Sequence, residues 1–311
     1  MFGGNVKSFS TYQALPGEPM TERDKMEVES KFWNKGKWDN FVLPFLPEDC
    51  SEQTLVDMGC NSGLFLRLAQ DKGFLHVVGV DSDKRAVERG IAWRDKNWDI
   101  YKILNLPMEK SIDELPVADY TVLANAHYYF KIDDWLDYLD KLRYKTRYCI
   151  IVTAEKRHTN RCWASADLTD IRAYFKDWYE TGFVNELPIE GEVGARKLWG
   201  LCFKSPYIER VSIDSLDCGN HIQDRFYEEL DRGTEYNKTR YYRILKPYRK
   251  KWSEEMLNNY MLERMEVYED LKENGLKRPL IVNSENLILD GNHRYCMMKT
   301  LDYKSIIVRK T

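Results

Sequence analysis

No stretch of the 311-residue chain approaches the ~18 consecutive apolar residues that a membrane-spanning helix needs. The opening "MFGGNVKSFSTYQALPGEPM" also lacks a charged flank followed by an apolar run, so neither secretion nor membrane insertion is expected. Cysteine is sparse and badly placed for cross-linking: the seven residues are odd in number, scattered, and never arranged as C-x-x-C. That excludes a disulfide framework or zinc ribbon and points to a reducing, cytoplasmic compartment. A charge excess is missing as well, since a net charge of −3 gives no global pull toward nucleic acid or anionic lipid. Internal repeats and low-complexity tracts are absent too.

What remains is a soluble globular composition, 43% hydrophobic and 31% charged, in a chain long enough for two domains. Apolar strand-like runs, "TLVDMG", "HVVGVD", "IYKILN", "YTVLAN" and "YCIIVTA", alternate with segments of helical spacing. Such alternation implies parallel strands joined by right-handed crossovers, an α/β doubly wound, Rossmann-like sheet. Two further strand-like runs, "GFVNELPIE" and "KLWGLCFKS", are expected to close it as an antiparallel pair. The alternation then stops, and Ser205-Pro206 marks a boundary, giving domains at 1-205 and 206-311.

The loop "LVDMGCNSGLF" follows the first strand and opens the first helix. Gly59 and Gly63 let the backbone turn tightly against a ligand, and Asp81, ending the second strand eighteen residues after Gly63, can accept both hydroxyls of a ribose. Dinucleotide enzymes show G-x-G-x-x-G, whereas this pattern is D-x-G-x-x-x-G with no third glycine. From about Phe32 to Lys204 the chain resembles the class I S-adenosylmethionine-dependent methyltransferases, whose first motif reads D-x-G-x-G-x-G, with Asn61 in place of the middle glycine. The resemblance implies S-adenosylmethionine as cofactor: Gly59, Cys60, Asn61 and Gly63 at its methionine end, Asp81 on the ribose, Asn105 near the adenine. Asp57 and Asn125 complete the expected cofactor set.

In doubly wound sheets the acceptor sits outside the carboxyl ends of the strands, near the fourth and fifth. The fourth ends in "LANAHYYF", which makes His127 the candidate general base for methyl transfer to a hydroxyl; capping the strand is its plainer alternative. The fifth ends in "TAEKRHTNR", where Glu155, Arg157 and His158 are candidate substrate contacts. Asn125-Ala126-His127-Tyr128 stands where base-amine methyltransferases carry [DNS]-P-P-[YF], and no proline is followed by cysteine, which disfavours nucleic-acid bases as acceptors. A small-molecule or glycan oxygen is the leading acceptor. No metal-ligand spacing is present.

The C-terminal segment reads as helix, Gly275, strand, turn, strand, Gly-containing turn, helix, strand. Asn274, Gly275, Pro279, Leu280, Val282, Asp290, Gly291, His293 and Arg294 give it a resemblance to the ParB/sulfiredoxin superfamily, interrupted by a basic helical insertion at about 218-261. A smaller α+β domain is implied, with a phosphate or nucleotide site, possible magnesium included, at Gly291, Asn292, His293 and Arg294; a capped βα turn is the alternative. Asn292 stands where sulfiredoxins place their reactive cysteine, and no helix-turn-helix follows, so neither sulfinic acid reduction nor DNA partitioning is expected.

The run "KTRYYRILKPYRKKW" interleaves cations with tyrosines and is either a nucleic-acid grip or a solvated helical face. Three functions follow: a methyltransferase with an anion-binding second domain, a nucleic-acid-binding or nucleic-acid-modifying protein, and a bifunctional methyltransferase-kinase. The weakly acidic whole chain favours the first. Oligomeric state leaves no signature.

Overall fold

A computed structural model describes Leu15 and residues 34–97, 99–154, 164, 167–186, 198–219, 223–249 and 251–311. The chain divides into two compact units, Met1–Pro206 and Tyr207–Thr311.

In the first unit, helix α1 (Asn34–Phe41) precedes β1 (Thr54–Met58), α2 (Leu64–Lys72), β2 (His76–Asp81), α3 (Lys84–Asn97) and β3 (Lys102–Asn105). Then come β4 (Ala118–Ala124), α4 (Ile132–Leu142), β5 (Thr146–Ala154), α5 (Leu168–Tyr174), β6 (Tyr179–Glu186) and β7 (Leu198–Lys204). The sheet order is β3-β2-β1-β4-β5-β7-β6, parallel from β3 to β5, with β7 antiparallel to both β5 and β6. The expected closing pair is therefore present, with the later strand on the inside.

Every residue of β1 is buried, as a central strand covered on both faces requires. Leu55 joins one core layer with Trp38, Phe65 and Leu66, while Val56 and Met58 join the other with Trp135, Tyr138 and Phe175. Alternate side chains of one strand thus feed two cores. Helix α2 is bracketed by left-handed glycines, Gly63 (φ 87°) at its start and Gly73 (φ 97°) at its end.

The second unit holds β8 (Ile208–Ser212), α6 (Asp224–Asp231), α7 (Arg240–Tyr248), α8 (Glu254–Asn274), β9 (Leu280–Val282), β10 (Ile288–Asp290), α9 (Asn292–Thr300) and β11 (Ser305–Lys310). Its mixed sheet runs β10-β9-β11-β8, with β9 and β11 parallel and the outer pairs antiparallel. The insertion expected to end near Met261 does not end there. Met261 lies inside α8, a 21-residue helix that begins where Ser253 caps the Met256 N–H at 3.1 Å and stops at Gly275 (φ 77°). Thr239 caps α7 in the same way, accepting from the Tyr242 N–H at 3.3 Å.

Candidate functional site

The loop between β1 and α2 is held against β2 by the N–H groups of Gly59 and Cys60, which both donate to Val80 O, at 2.8 and 3.0 Å. Asn61 takes a left-handed conformation (φ 51°), as its place in the motif requires, and its N–H donates to Asp81 Oδ2 at 2.8 Å. The other oxygen, Oδ1, accepts from the Asp83 N–H at 2.8 Å. Asp81 is thereby fixed at the carboxyl end of β2, half-buried, with a further lone pair on each oxygen. Burial raises its carboxyl above the usual range, and the two backbone hydrogen bonds oppose that rise.

Asp57, 2% exposed, sits beneath the loop. Burial, then the repulsion of Asp81, lifts its carboxyl to about 8, with Lys37 of α1 pulling the other way. Gly59 (φ 76°) has no room for a side chain: a Cβ there would lie 3.0 Å from Ala126 Cβ and 3.7 Å from Met108 Sδ. The loop thus packs against the end of β4 at a point where the Gly59 backbone meets the Ala126 methyl group. Directly before Ala126, Asn125 is left-handed (φ 57°), and its Oδ1 is buried without a partner among the described residues. An orphaned acceptor, a glycine-walled gap and a fixed carboxylate suit a ligand that carries hydroxyls and positive charge.

Several expected residues sit otherwise than anticipated. Cys60 is fully buried and would touch a Cβ on Gly79 at 2.6 Å, so its side chain belongs to the core and only its backbone lines the loop. Asn105 spends its amide on Asp81 O at 3.0 Å, bracing the acid rather than presenting a donor of its own. His127 is 0% exposed, in a short 3-10 turn, with its ring against Tyr128 and Trp135 at 5.3 and 5.9 Å. The imidazole is closed to solvent in this structure, which favours its plainer alternative at the strand end over the base role. Glu155, Arg157 and His158 lie outside the described residues. Ala126 and Met108, which shape the gap over Gly59, escaped sequence reasoning; only the small residue after Asn125 hinted at close packing.

The box of the second unit has Gly291 (φ 106°) as the N-cap of α9, as the tight entry demands. Arg294, however, is turned inward: Nη1 donates to Arg278 O at 2.7 Å and Pro279 O at 2.9 Å, and Nη2 pairs with Asp290 at 2.8 Å. Its expected fork onto a phosphate is already occupied by protein oxygens. His293 lies 2.8 Å from Tyr227 Oη through Nδ1. A cavity of about 340 Å³ opens elsewhere in this unit, beside Asp231, Tyr268 and Lys272, and no residue of the box lines it. Among the described residues no group of three or more His, Cys, Asp or Glu is placed to hold a metal ion, and no helix is long and apolar enough to cross a membrane.

Residues 32–186 match the family described as a methyltransferase domain. No curated protein matches the chain. Solved structures with a similar fold include TehB from Haemophilus influenzae, at 15% identity over 50% of this chain and 58% of that one, with a TM-score of 0.42. This chain thus spans little more than half of TehB's length. Magnesium protoporphyrin IX methyltransferase (ChlM) from Synechocystis PCC 6803 with bound SAM is 12% identical over 61% of this chain and 87% of its own, with a TM-score of 0.45. The N-methyltransferase NodS from Bradyrhizobium japonicum WM9, in complex with S-adenosyl-L-homocysteine, is 16% identical over 50% and 78%, with a TM-score of 0.40.

Proposed function

We propose that this chain, whose residues 32–186 match a methyltransferase domain, is a class I S-adenosylmethionine-dependent methyltransferase that methylates an oxygen of a small-molecule or glycan acceptor. The reading rests above all on Asp81, a carboxylate held at the end of β2 by the Asn61 N–H at 2.8 Å and open to a pair of ribose hydroxyls. The bound cofactor supplies an electrophilic methyl group on a sulfonium. The chain's own part is to bind and orient. Gly59, whose Cβ position lies 3.0 Å from Ala126 Cβ, lets the loop pack tightly against the end of β4 and keeps its backbone turn in place. Asn125 Oδ1 accepts a hydrogen at the mouth of the gap; an amide is not basic, so it positions a hydroxyl and does not deprotonate it. Asp57, kept protonated by burial, becomes ionised when positive charge enters beside it.

The described cysteines are free, which suits the cytoplasm. The second unit we read as a phosphate or nucleotide binder, on the left-handed Gly291 that opens α9. No observation favours the nucleic-acid or kinase readings: in the basic stretch Lys238 pairs with Glu235 at 2.8 Å and Lys246 with Glu254 at 3.0 Å.

Calorimetry with S-adenosylmethionine tests the first claim. Saturable binding by the whole chain is expected, weakened about 100-fold in Asp81→Ala, as loss of a charge-assisted pair of hydrogen bonds implies. Absence of heat with the unaltered protein overturns it. Labelled methyl uptake across sugars, nucleosides and small alcohols then tests the acceptor class.

A further inference from the structure

Four helices of the second unit bring a polar cluster together around His293. Tyr227 of α6 lies 2.8 Å from Nδ1, while Tyr241 of α7 and Tyr260 of α8 lie 3.2 and 3.1 Å from Nε2 and 3.4 Å from each other. Tyr227 and Tyr241 are buried and form the floor; Tyr260 and His293 are half-buried and form the mouth. Burial, then the nearby charge of Arg264, pushes the imidazole down to about 4, so it is neutral at physiological pH.

A neutral imidazole brings one N–H and one lone pair, and the phenols bring three hydrogens. At most three of these four hydrogens find an acceptor inside the cluster, whichever tautomer is chosen. If Nδ1 carries the proton, the Tyr227 hydroxyl is left over; if Nε2 carries it, Tyr241 or Tyr260 is. Gln223 also hydrogen-bonds Tyr241 through its side chain, so an oxygen from outside would share this network with a protein amide.

Arg264 supplies a second deficit. One helical turn beyond Tyr260, its guanidinium lies 4.8 Å over the Tyr260 ring, and its Nε is buried without a hydrogen-bond partner. Its charge bears on His293, Tyr227 and Tyr241, and among the described residues no carboxylate pairs with it. A half-buried cation without a counter-ion, beside a cluster of phenol hydroxyls, is the complement of an anion rich in oxygens.

We propose that Arg264, with Tyr260, Tyr241 and His293, forms an oxyanion site that takes a phosphate group. A carboxylate also fits the guanidinium fork and keeps a lone pair on each oxygen, but a phosphate adds a third oxygen out of the fork plane that can turn toward the hydroxyl. The proposal rests on the reading of this unit as a phosphate binder, and moves the charged partner of the anion from Arg294, which is spent on carbonyl groups and Asp290, to Arg264 on α8.

The test is calorimetric titration of the full chain with inorganic phosphate, adenosine triphosphate and acetate, on the unaltered protein and on Arg264→Gln, Arg264→Lys and Tyr260→Phe. Near-ultraviolet circular dichroism checks folding. Phosphate is expected to bind at least about tenfold tighter than acetate, Arg264→Gln to lose about tenfold or more, Arg264→Lys to recover part of it, and Tyr260→Phe to lose a few-fold. If Arg264→Gln does not fold, Tyr260→Phe decides, and unchanged phosphate affinity in it overturns the site. Equal affinity in Arg264→Gln overturns this assignment while leaving the unit a phosphate binder. Binding of neither phosphate nor triphosphate by the unaltered protein ends both.

Discussion

The loops that open α2 and α9 use one backbone device and differ in how they treat their charged side chains. Each follows a strand, turns on a left-handed glycine, Gly63 at φ 87° and Gly291 at φ 106°, and starts a nine-residue helix. Around the first, capacity is left unspent: Asn125 Oδ1 has no partner among the described residues, Asp81 keeps lone pairs open, and Asp57 is buried at a cost. In the second, Arg294 is consumed by Arg278 O, Pro279 O and Asp290, while Asn292 Oδ1 is buried without a partner among the described residues. A glycine-opened helix is therefore a scaffold, and the polar groups left over beside it decide whether anything binds there.

That contrast can be broken at Arg294. If the arginine is structural, Arg294→Gln lowers stability in urea unfolding by about 2 kcal/mol, the scale of charged hydrogen bonds lost to backbone carbonyls and Asp290, and leaves phosphate affinity unaltered. A stable variant that has lost phosphate would reverse the comparison.

The first loop is sharpened by Asp57→Asn. The folded state holds the Asp57 proton up to about pH 8, while the unfolded chain sheds it near 3.8. The penalty is nil below pH 3.8, grows as pH rises between the two values, and is complete above the upper one. Asp57→Asn is thus expected to be more stable than the unaltered protein at pH 7.5, by an upper limit of about 5 kcal/mol set by the two values, and to lose that advantage near pH 4. Melting temperatures at the two pH values check it. Smallest is the effect of Lys246→Ala, whose pair with Glu254 is exposed on both sides. A change within about 0.5 kcal/mol is expected, which would confirm that the basic stretch is a solvated face.

The parallel strands and their closing pair were legible in the sequence, because fully buried strands write themselves as apolar runs and their glycines mark the loop. The role of His127 was not. Its position after β4 was readable, but the direction of its ring depends on a short turn and on Trp135, which arrives from α4. Arg294 misled for a similar reason: its acceptors, Arg278 O and Pro279 O, lie fifteen or more residues away, and no local pattern announces them. The end of the insertion was misjudged because α8 carries straight through Met261, although Ser253-Glu254-Glu255 already had the composition of a helix start.

The place of β7 sets an order of assembly. In the sheet it lies between β5 and β6, yet it is made after both. β6 pairs only with β7 among the described residues, so on the ribosome it must wait, unpaired, until Lys204 has emerged. A fragment cut at Glu186, where the matched segment ends, would keep β6 and discard its partner, baring the edge of β5. The folding unit is therefore longer than the segment that carries the family signature, and expression of the first unit alone has to run through β7.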